Sequence, residues 1–274
     1  ESQNPAIEPG VYSSKCISMD KCGLCIKACR QQVLLFAGES IAGIDRSRCI
    51  GCMKCAAVCP SEAVRAWGEK MSLDEVMAVI EKDRAFYEKS GGGVTVSGGE
   101  PLVQKEFACS ILKACREAGI HTCLESTFCT DWETVEAAAE YADLLISDIK
   151  HMDSDVHKKY TGAGNEKILA NLKRLAACGH DMILRIPVIP GINDDMENII
   201  KTADYIEDNI GDRLRVLQLL SFMRMGEEKC LSLGRTYEMG SLEFDREEFQ
   251  QRVEDIAEYF NSRGIHCTVG TAQS

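Results

Sequence analysis

The sequence predicts an α/β protein: an open, partial barrel of β/α units joined to a small α+β domain near its N-terminus. Three observations predict it. Eight cysteines crowd into two runs between residues 16 and 59. From about residue 68 onward, short apolar segments alternate with amphipathic ones, the pattern of a parallel sheet or barrel. Five such units and a last strand fit into the 274 residues, which falls short of an eight-fold barrel.

Composition narrows the classes. At 45% hydrophobic and 27% charged residues, the chain has ample material for a buried core. A formal charge of −12 argues against nucleic acid or an anionic membrane as the main partner. No apolar run approaches the length of a membrane span. Seven of the 15 cysteines lie outside the two runs. So many free thiols point to a reducing, anaerobic cytosol, and the expected location is cytoplasmic.

Residues 1–14 read as an extended, proline-broken lead-in, a remnant of the N-terminus of the barrel. The chain starts at Glu1 with ESQNPAIEPG, which lacks the charged start and apolar core of a signal peptide. Residues 15–67 form the cysteine domain. Its second run, SRCIGCMKCAAVCP, places Cys49, Cys52, Cys55 and Cys59 at C-x2-C-x2-C-x3-C-P spacing, the run of a bacterial ferredoxin. Three thiolates of one tight loop hold three corners of a cubane. The fourth opens a helix that points away, and in two-cluster ferredoxins it ligates the other cluster. The first run, Cys16, Cys22, Cys25 and Cys29, is less regular: Met19 stands where its first cysteine belongs, and Cys16 lies three residues further back. The expected assignment is therefore crossed. Cys16, Cys22, Cys25 and Cys59 take one [4Fe–4S] cluster, and Cys49, Cys52, Cys55 and Cys29 take the other. Structural zinc is the competing reading, but zinc sites rarely show 2-2-3 spacing with a trailing proline. Disulfides would strain so short a loop. Between the runs, LLFAGESIAGID (34–45) suits a small hairpin. The domain carries a formal +4, which two oxidised cubanes of about −4 would bring near neutral.

Residues 68–274 make the barrel. Ser72 and Glu75 form a capping box opening a helix to about 89. VTVSGGEP (94–101) is a strand and a glycine turn, followed by a helix near 104–118. IHTCLEST (120–127) is the next strand, with Asp131 opening the helix after it. LLISDIK (144–150) ends in charge, and a helix through NLKRLAACG closes at Gly179. MILRIPVIPG (182–191), a helix at 194–209, RLRVLQLLSFM (213–223), a helix at 245–262 and IHCTVG (265–270) complete the series. Such a barrel carries its site at the C-terminal ends of the strands.

Several residues there suit binding. Gly98 and Gly99 let backbone approach a ligand, and Glu100 offers a carboxylate to an amino group; a tight βα turn explains the glycines equally well. Glu125 and Thr127 share a strand face, with Ser126 at the rim. Asp148 and Lys150 share a face at a strand end, either as a structural ion pair or at the mouth of a site. Arg185 lies in an apolar run, where it must be paired or hold an anion. Of the scattered cysteines, Cys109 and Cys115 in a helix and Cys123 and Cys267 in strands read as core thiols, and the five histidines form no ligand cluster.

GGGVTVSGGEPLVQ (91–104), SDIKHMD (147–153), RIPVIPGIND (185–194) and QLLSFMRMGEEKCLSLGRTYEM (218–239) resemble the activating enzymes of glycyl radical enzymes, which are radical S-adenosylmethionine (SAM) proteins. The ferredoxin-like domain aligns the chain with the subgroup serving lyases and decarboxylases of small molecules. The resemblance implies a partial (β/α)6, TIM-like barrel. It implies that Gly98, Gly99 and Glu100 meet the amino group of SAM. Asp148, Ile149 and Lys150 would line the pocket, with Lys150 near the SAM carboxylate. Ser126 would be a further polar contact and Arg185 a barrel arginine. Met223 stands where relatives often have histidine, and a thioether cannot replace an imidazole as donor. The implied partners are a glycyl radical enzyme and an electron donor of flavodoxin or ferredoxin type.

In that family the SAM-ligating cluster hangs on C-x3-C-x2-C, just upstream of a segment like NPESQNP. Reduction of SAM there gives the 5′-deoxyadenosyl radical that takes hydrogen from the partner's glycine. This sequence starts at ESQNP and has no such run. The expectation is a chain lacking that segment, with the first barrel strand missing, a third [4Fe–4S] cluster only when the segment is present, and no SAM cleavage alone. The bared edge of the next strand is expected to promote association. Two rival readings stay open: an iron–sulfur electron-transfer protein with a non-catalytic barrel, and a non-radical SAM-binding regulator.

Overall fold

A computed structural model describes residues 6–270; the opening ESQNP, on which the truncation expectation rests, lies outside the described residues. Two compact units divide the chain: residues up to 71 with 223–242, and residues 72–222 with those from 243 on.

The first unit contains two halves offset by 30 residues. In one, α1 (Leu24–Ala28) follows Cys22; β2 (Leu34–Ala37) and β3 (Ser40–Ile44) then form the expected hairpin. In the other, α2 (Lys54–Ala57) follows Cys52 and leads to β4 (Val64–Trp67). Gly23 and Met53, one residue after those cysteines, both adopt left-handed backbone, at φ 57° and 54°. Gln32 and Glu62 repeat the match at 52° and 55°. The repeat breaks at Met19, which corresponds to Cys49.

The lead-in differs from its expected role as a remnant of the barrel. Residues Glu8–Val11 form β1 and pair antiparallel with β4. Val11 is buried with Val33, Ile41, Ile44 and Val64 in this unit's own core, which is what holds the strand there. The barrel boundary at residue 68 changes too. Residues 223–242 return to the first unit, where Trp67 Nε1 donates to Ser232 Oγ at 3.1 Å and Arg235 meets Glu8 at 3.0 Å.

In the second unit the capping box of Ser72 and Glu75 is present and opens α3 (Leu73–Ile80). The single expected helix is broken by a 3-10 turn before α4 (Arg84–Ser90). Arg84 holds the offset, reaching back to Glu81 and across to the Ala118 carbonyl. Then follow β5 (Gly93–Val96), α5 (Lys105–Glu117), β6 (His121–Glu125), α6 (Trp132–Ala139), β7 (Leu144–Asp148), α7 (Ser154–Thr161), α8 (Glu166–Ala177), β8 (Met182–Val188), α9 (Met196–Asn209) and β9 (Leu214–Ser221). After α10 (Glu227–Ser232), which lies in the returning segment, α11 (Arg246–Ser262) and β10 (Cys267–Val269) complete the unit. The sequence suggested one helix between β7 and β8; there are two, because Asp153 caps α7 by accepting from the amides of Asp155 and Val156.

β5 to β10 form one parallel sheet in sequential order, with β5 and β10 at its edges. This is the expected partial-barrel arrangement of an α/β fold. Burial along β8 alternates strictly. Met182, Leu184, Ile186 and Val188 pack into the core with Leu172, Leu175, Ile199, Val253 and Phe260 of the helices. Ile183, Arg185 and Pro187 face the other way, so the second face of the sheet is free for polar chemistry.

Gly93 is fixed by space. A Cβ there would lie 1.9 Å from the His121 carbonyl oxygen, a backbone atom of the paired strand. Gly93→Ala is expected to force β5 off β6 and to cost about 1–3 kcal/mol. Chemical denaturation of parent and variant tests this, and equal midpoints would refute it.

Candidate functional sites: two cysteine quartets and a polar strand-end cluster

The eight cysteines of the two runs divide by cavity. One cavity of the first unit is lined by Cys16, Cys22, Cys25 and Cys59, with Met19, Phe36, Ile41 and Val64. The other is lined by Cys29, Cys49, Cys52 and Cys55, with Ile50, Arg30 and Lys54. Each cavity draws three thiols from one run and the fourth from the other. Burial pushes the Cys25 thiol up, and the nearby Cys59 and Cys16 add to it. Burial likewise raises Cys55, with Cys29 and Cys49 adding to it. The electrostatic neighbours therefore repeat the crossed grouping. Val64 N donates to Cys59 Sγ at 3.4 Å.

These residues fit a cubane better than a single ion. Zinc draws four donors to within about 2.3 Å of one point. Among the described residues no three His, Cys, Asp or Glu side chains converge that way. Thiols spread around a cavity match a cluster, whose corner irons stand apart.

In the second unit the expected binding residues gather at the C-terminal ends of β5 to β8. Gly98 sits at φ 147°, backbone that disfavours any side chain, and so presents bare peptide after β5. Glu100 is not a free carboxylate. Its Oε1 accepts from Leu102 N at 3.0 Å and Ser126 Oγ at 2.8 Å. Its Oε2 accepts from Thr127 N at 2.9 Å and Thr127 Oγ1 at 2.5 Å. Four donors fill the roughly four acceptor sites of a carboxylate. Glu100 thus ties the β5 turn to the end of β6. Ser126, expected at the rim, is buried, because its hydroxyl is used twice: it donates to Glu100 and accepts from Phe128 N.

Asp148 and Lys150 form an ion pair of 2.8 Å, both partly exposed. Ile149 is buried among the core residues, and its amide donates to the Arg185 carbonyl. Arg185 is paired: it reaches Glu125 at 3.0 Å and Gln218 at 3.1 Å, linking β6, β8 and β9 on the face away from the helices. Gln218 and Asn193 had not been singled out in the sequence. Asn193 is buried, donates to the Lys150 and Pro187 carbonyls and accepts from Ile189 N, bracing the ends of β7 and β8 together. Its signal was an asparagine directly after Pro-Gly-Ile. Met223 is exposed.

The scattered cysteines follow the core reading where they are buried. Burial pushes Cys123 up to about 11 and Cys267 up to about 12. A thiol whose folded value lies above its unfolded value, near 9, keeps its proton in the folded chain after the unfolded chain has lost it. Stability is therefore whole below pH 9 and falls as pH rises toward 11–12, by up to about 1.4 kcal/mol per pH unit per thiol. Urea titrations between pH 8 and 11 on parent and Cys123→Ala test this; identical pH slopes would refute it. His157 is buried, with Nδ1 2.6 Å from the Ala163 carbonyl, a structural contact.

Paired cysteine quartets in one unit, and a parallel sheet with a glycine turn and strand-end charges in the other, define the class. The sequence pattern of the radical SAM superfamily matches residues 46–203, and that of a 4Fe-4S dicluster domain matches residues 15–64. The (2S)-3-sulfopropanediol dehydratase activating enzyme of Klebsiella oxytoca is 52% identical over 274 residues, covering 100% of this chain and 86% of that one. The isethionate sulfite-lyase activating enzyme of Oleidesulfovibrio alaskensis is 36% identical over 251 residues, covering 90% and 80%. A solved domain of a pyruvate-formate lyase-activating enzyme from Bacteroides vulgatus superposes with a TM-score of 0.52 at 33% identity, covering 65% of this chain and 99% of that one. The chain belongs to the glycyl radical enzyme activating enzymes of the radical SAM superfamily. Iron–sulfur and SAM chemistry and a glycyl radical enzyme partner come with that membership. No helix among the described residues is long and apolar enough to cross a membrane.

Proposed function

We propose that this chain activates a glycyl radical enzyme acting on a short hydroxylated sulfonate, of the kind named in its 52%-identical relative. The observation that carries the site assignment is the crossed division of eight cysteines between two cavities. Each quartet would hold one [4Fe–4S] cluster, and such a pair would supply a relay for electrons from a flavodoxin- or ferredoxin-type donor. SAM, when bound, supplies the radical chemistry of the family. The chain's own residues do the positioning. The peptide of Gly98 and Gly99 offers carbonyls to the SAM amino group, with Glu100 and Ser126 holding that turn. Lys150, released in part from Asp148, meets the carboxylate, and Arg185 keeps its charge on the inner face through Glu125 and Gln218. Ile149 contributes apolar backing.

The test is to co-express the chain, joined to a segment carrying the family's C-x3-C-x2-C run, anaerobically with a sulfopropanediol dehydratase-type glycyl radical enzyme and look for the glycyl radical doublet by EPR. Calorimetry with SAM and iron analysis run beside it. A doublet with this partner, absent with a decarboxylase-type partner, supports the assignment. The reverse preference overturns the sulfonate reading and leaves family membership intact. About eight irons per chain fits two clusters and about twelve a third.

A further inference from the structure

The loop from Cys16 to Cys22 carries a residue that the repeat does not account for. Ser18 adopts φ 81°, a left-handed backbone that is uncommon for any residue but glycine. Its hydroxyl is buried and has no hydrogen-bond partner among the described residues. It lines the cavity of Cys16, Cys22, Cys25 and Cys59. The loop is fixed on both sides, since Met19 N donates to Glu39 O at 2.8 Å and Cys22 N donates to Ser18 O at 3.2 Å. A strained backbone and an unsatisfied buried hydroxyl are both unfavourable, and they coincide where four thiols surround a cavity.

The two cavities differ in charge. Arg30 and Lys54 line the second, whereas none of the described residues lining the first is charged. A cluster's reduction potential depends on nearby charge and on hydrogen bonds to its sulfurs. In the first cavity the charge contribution is missing, so hydroxyl donors matter more; Ser61, the other serine lining it, has its Oγ 3.8 Å from Cys59 Sγ, whereas Ser18 Oγ has no partner among the described residues.

We propose that the Ser18 hydroxyl donates a hydrogen bond to a sulfur of the cluster held by Cys16, Cys22, Cys25 and Cys59, and thereby raises that cluster's reduction potential. This rests on the quartet reading above. Ser18 is a positioning residue: it ligates nothing, and it stabilises the more negative, reduced state. The displaced Cys16 explains why the donor is there. Moving the ligand three residues back lengthens the loop and turns Ser18 inward, an arrangement the second run, with Cys49 in register, does not have.

The experiment is a potentiometric titration of the anaerobically purified holoprotein, followed by EPR of the reduced clusters, with iron and sulfide per chain measured on each sample. Ser18→Ala removes the hydroxyl. Ser18→Gly removes it and also relieves the left-handed backbone, so a folding defect in the first variant does not end the test. Both are expected to lower one of the two potentials, corresponding to a reduction constant roughly tenfold smaller, or about 59 mV for one electron. The other potential and the iron content should stay as in the parent. Unchanged potentials in Ser18→Gly overturn the proposal. Loss of about four irons also overturns it, since Ser18 would then be needed to hold the cluster. A parent without two clusters marks failure of the quartet reading itself, visible before any variant is made.

Discussion

Replacing Cys29 by alanine is expected to empty the cluster of the second cysteine run and leave that of its own run intact. The reason is the crossed cavity lining: Cys29 stands with Cys49, Cys52 and Cys55, and Cys59 with Cys16, Cys22 and Cys25. Iron should fall from about eight to about four per chain in either Cys29→Ala or Cys59→Ala, each cubane holding four irons. The decisive samples are double variants. Cys29→Ala with Cys52→Ala removes two ligands of one quartet and should still leave about four irons. Cys29→Ala with Cys22→Ala strikes both quartets and should leave almost none. An uncrossed arrangement gives the opposite pair of results. Iron and sulfide analysis with the visible absorption of the clusters is sufficient to read them.

The second large effect concerns Glu100. Its carboxylate accepts four hydrogen bonds from the β5 turn and the residues after β6, two of them from backbone amides. Hydrogen bonds to a charged group are each worth about 1.5–3 kcal/mol and do not add fully, so Glu100→Gln is expected to cost about 2–4 kcal/mol. The amide also aims its own N–H groups at a pair of existing donors, leaving them unsatisfied. Because Gly98 and Gly99 hang on this anchor, SAM affinity should fall together with stability. Urea unfolding and calorimetry with SAM check both. If Glu100 served the ligand alone, affinity would fall while the unfolding midpoint stayed put.

These two cases mark how far the sequence was legible. The crossed grouping of the eight thiols around two cavities was legible in their spacing, because short local loops confine which thiols face together. Strand order was legible for a similar reason: each β/α unit is local, and Asp131, Asp195 and Asp245 cap their helices as short-range signals allow. Glu100 was legible as a site residue and not as an anchor. Its partners Ser126 and Thr127 lie 26 and 27 residues away, and no pattern in the sequence aims them at it. The pairing of the lead-in was not legible for the same cause. EPGV looks like irregular chain until its partner β4, more than fifty residues later, is known. Arg185 was recognised as needing a partner, but the choice of Glu125 and Gln218 depends on the register of three strands.

The return of residues 223–242 to the first unit has a consequence during synthesis. Trp67 receives its partner Ser232 only after 165 more residues have been made. At about 5–20 residues per second that delay is roughly 10–30 s. All eight cysteines of the quartets have been translated by Cys59, long before the segment that completes their unit. On the ribosome, then, there is an interval in which the thiols exist and Trp67 and Glu8 still lack their late partners. Delivery of iron and sulfide has that interval available, and a chain loaded in it would close its unit around clusters already in place.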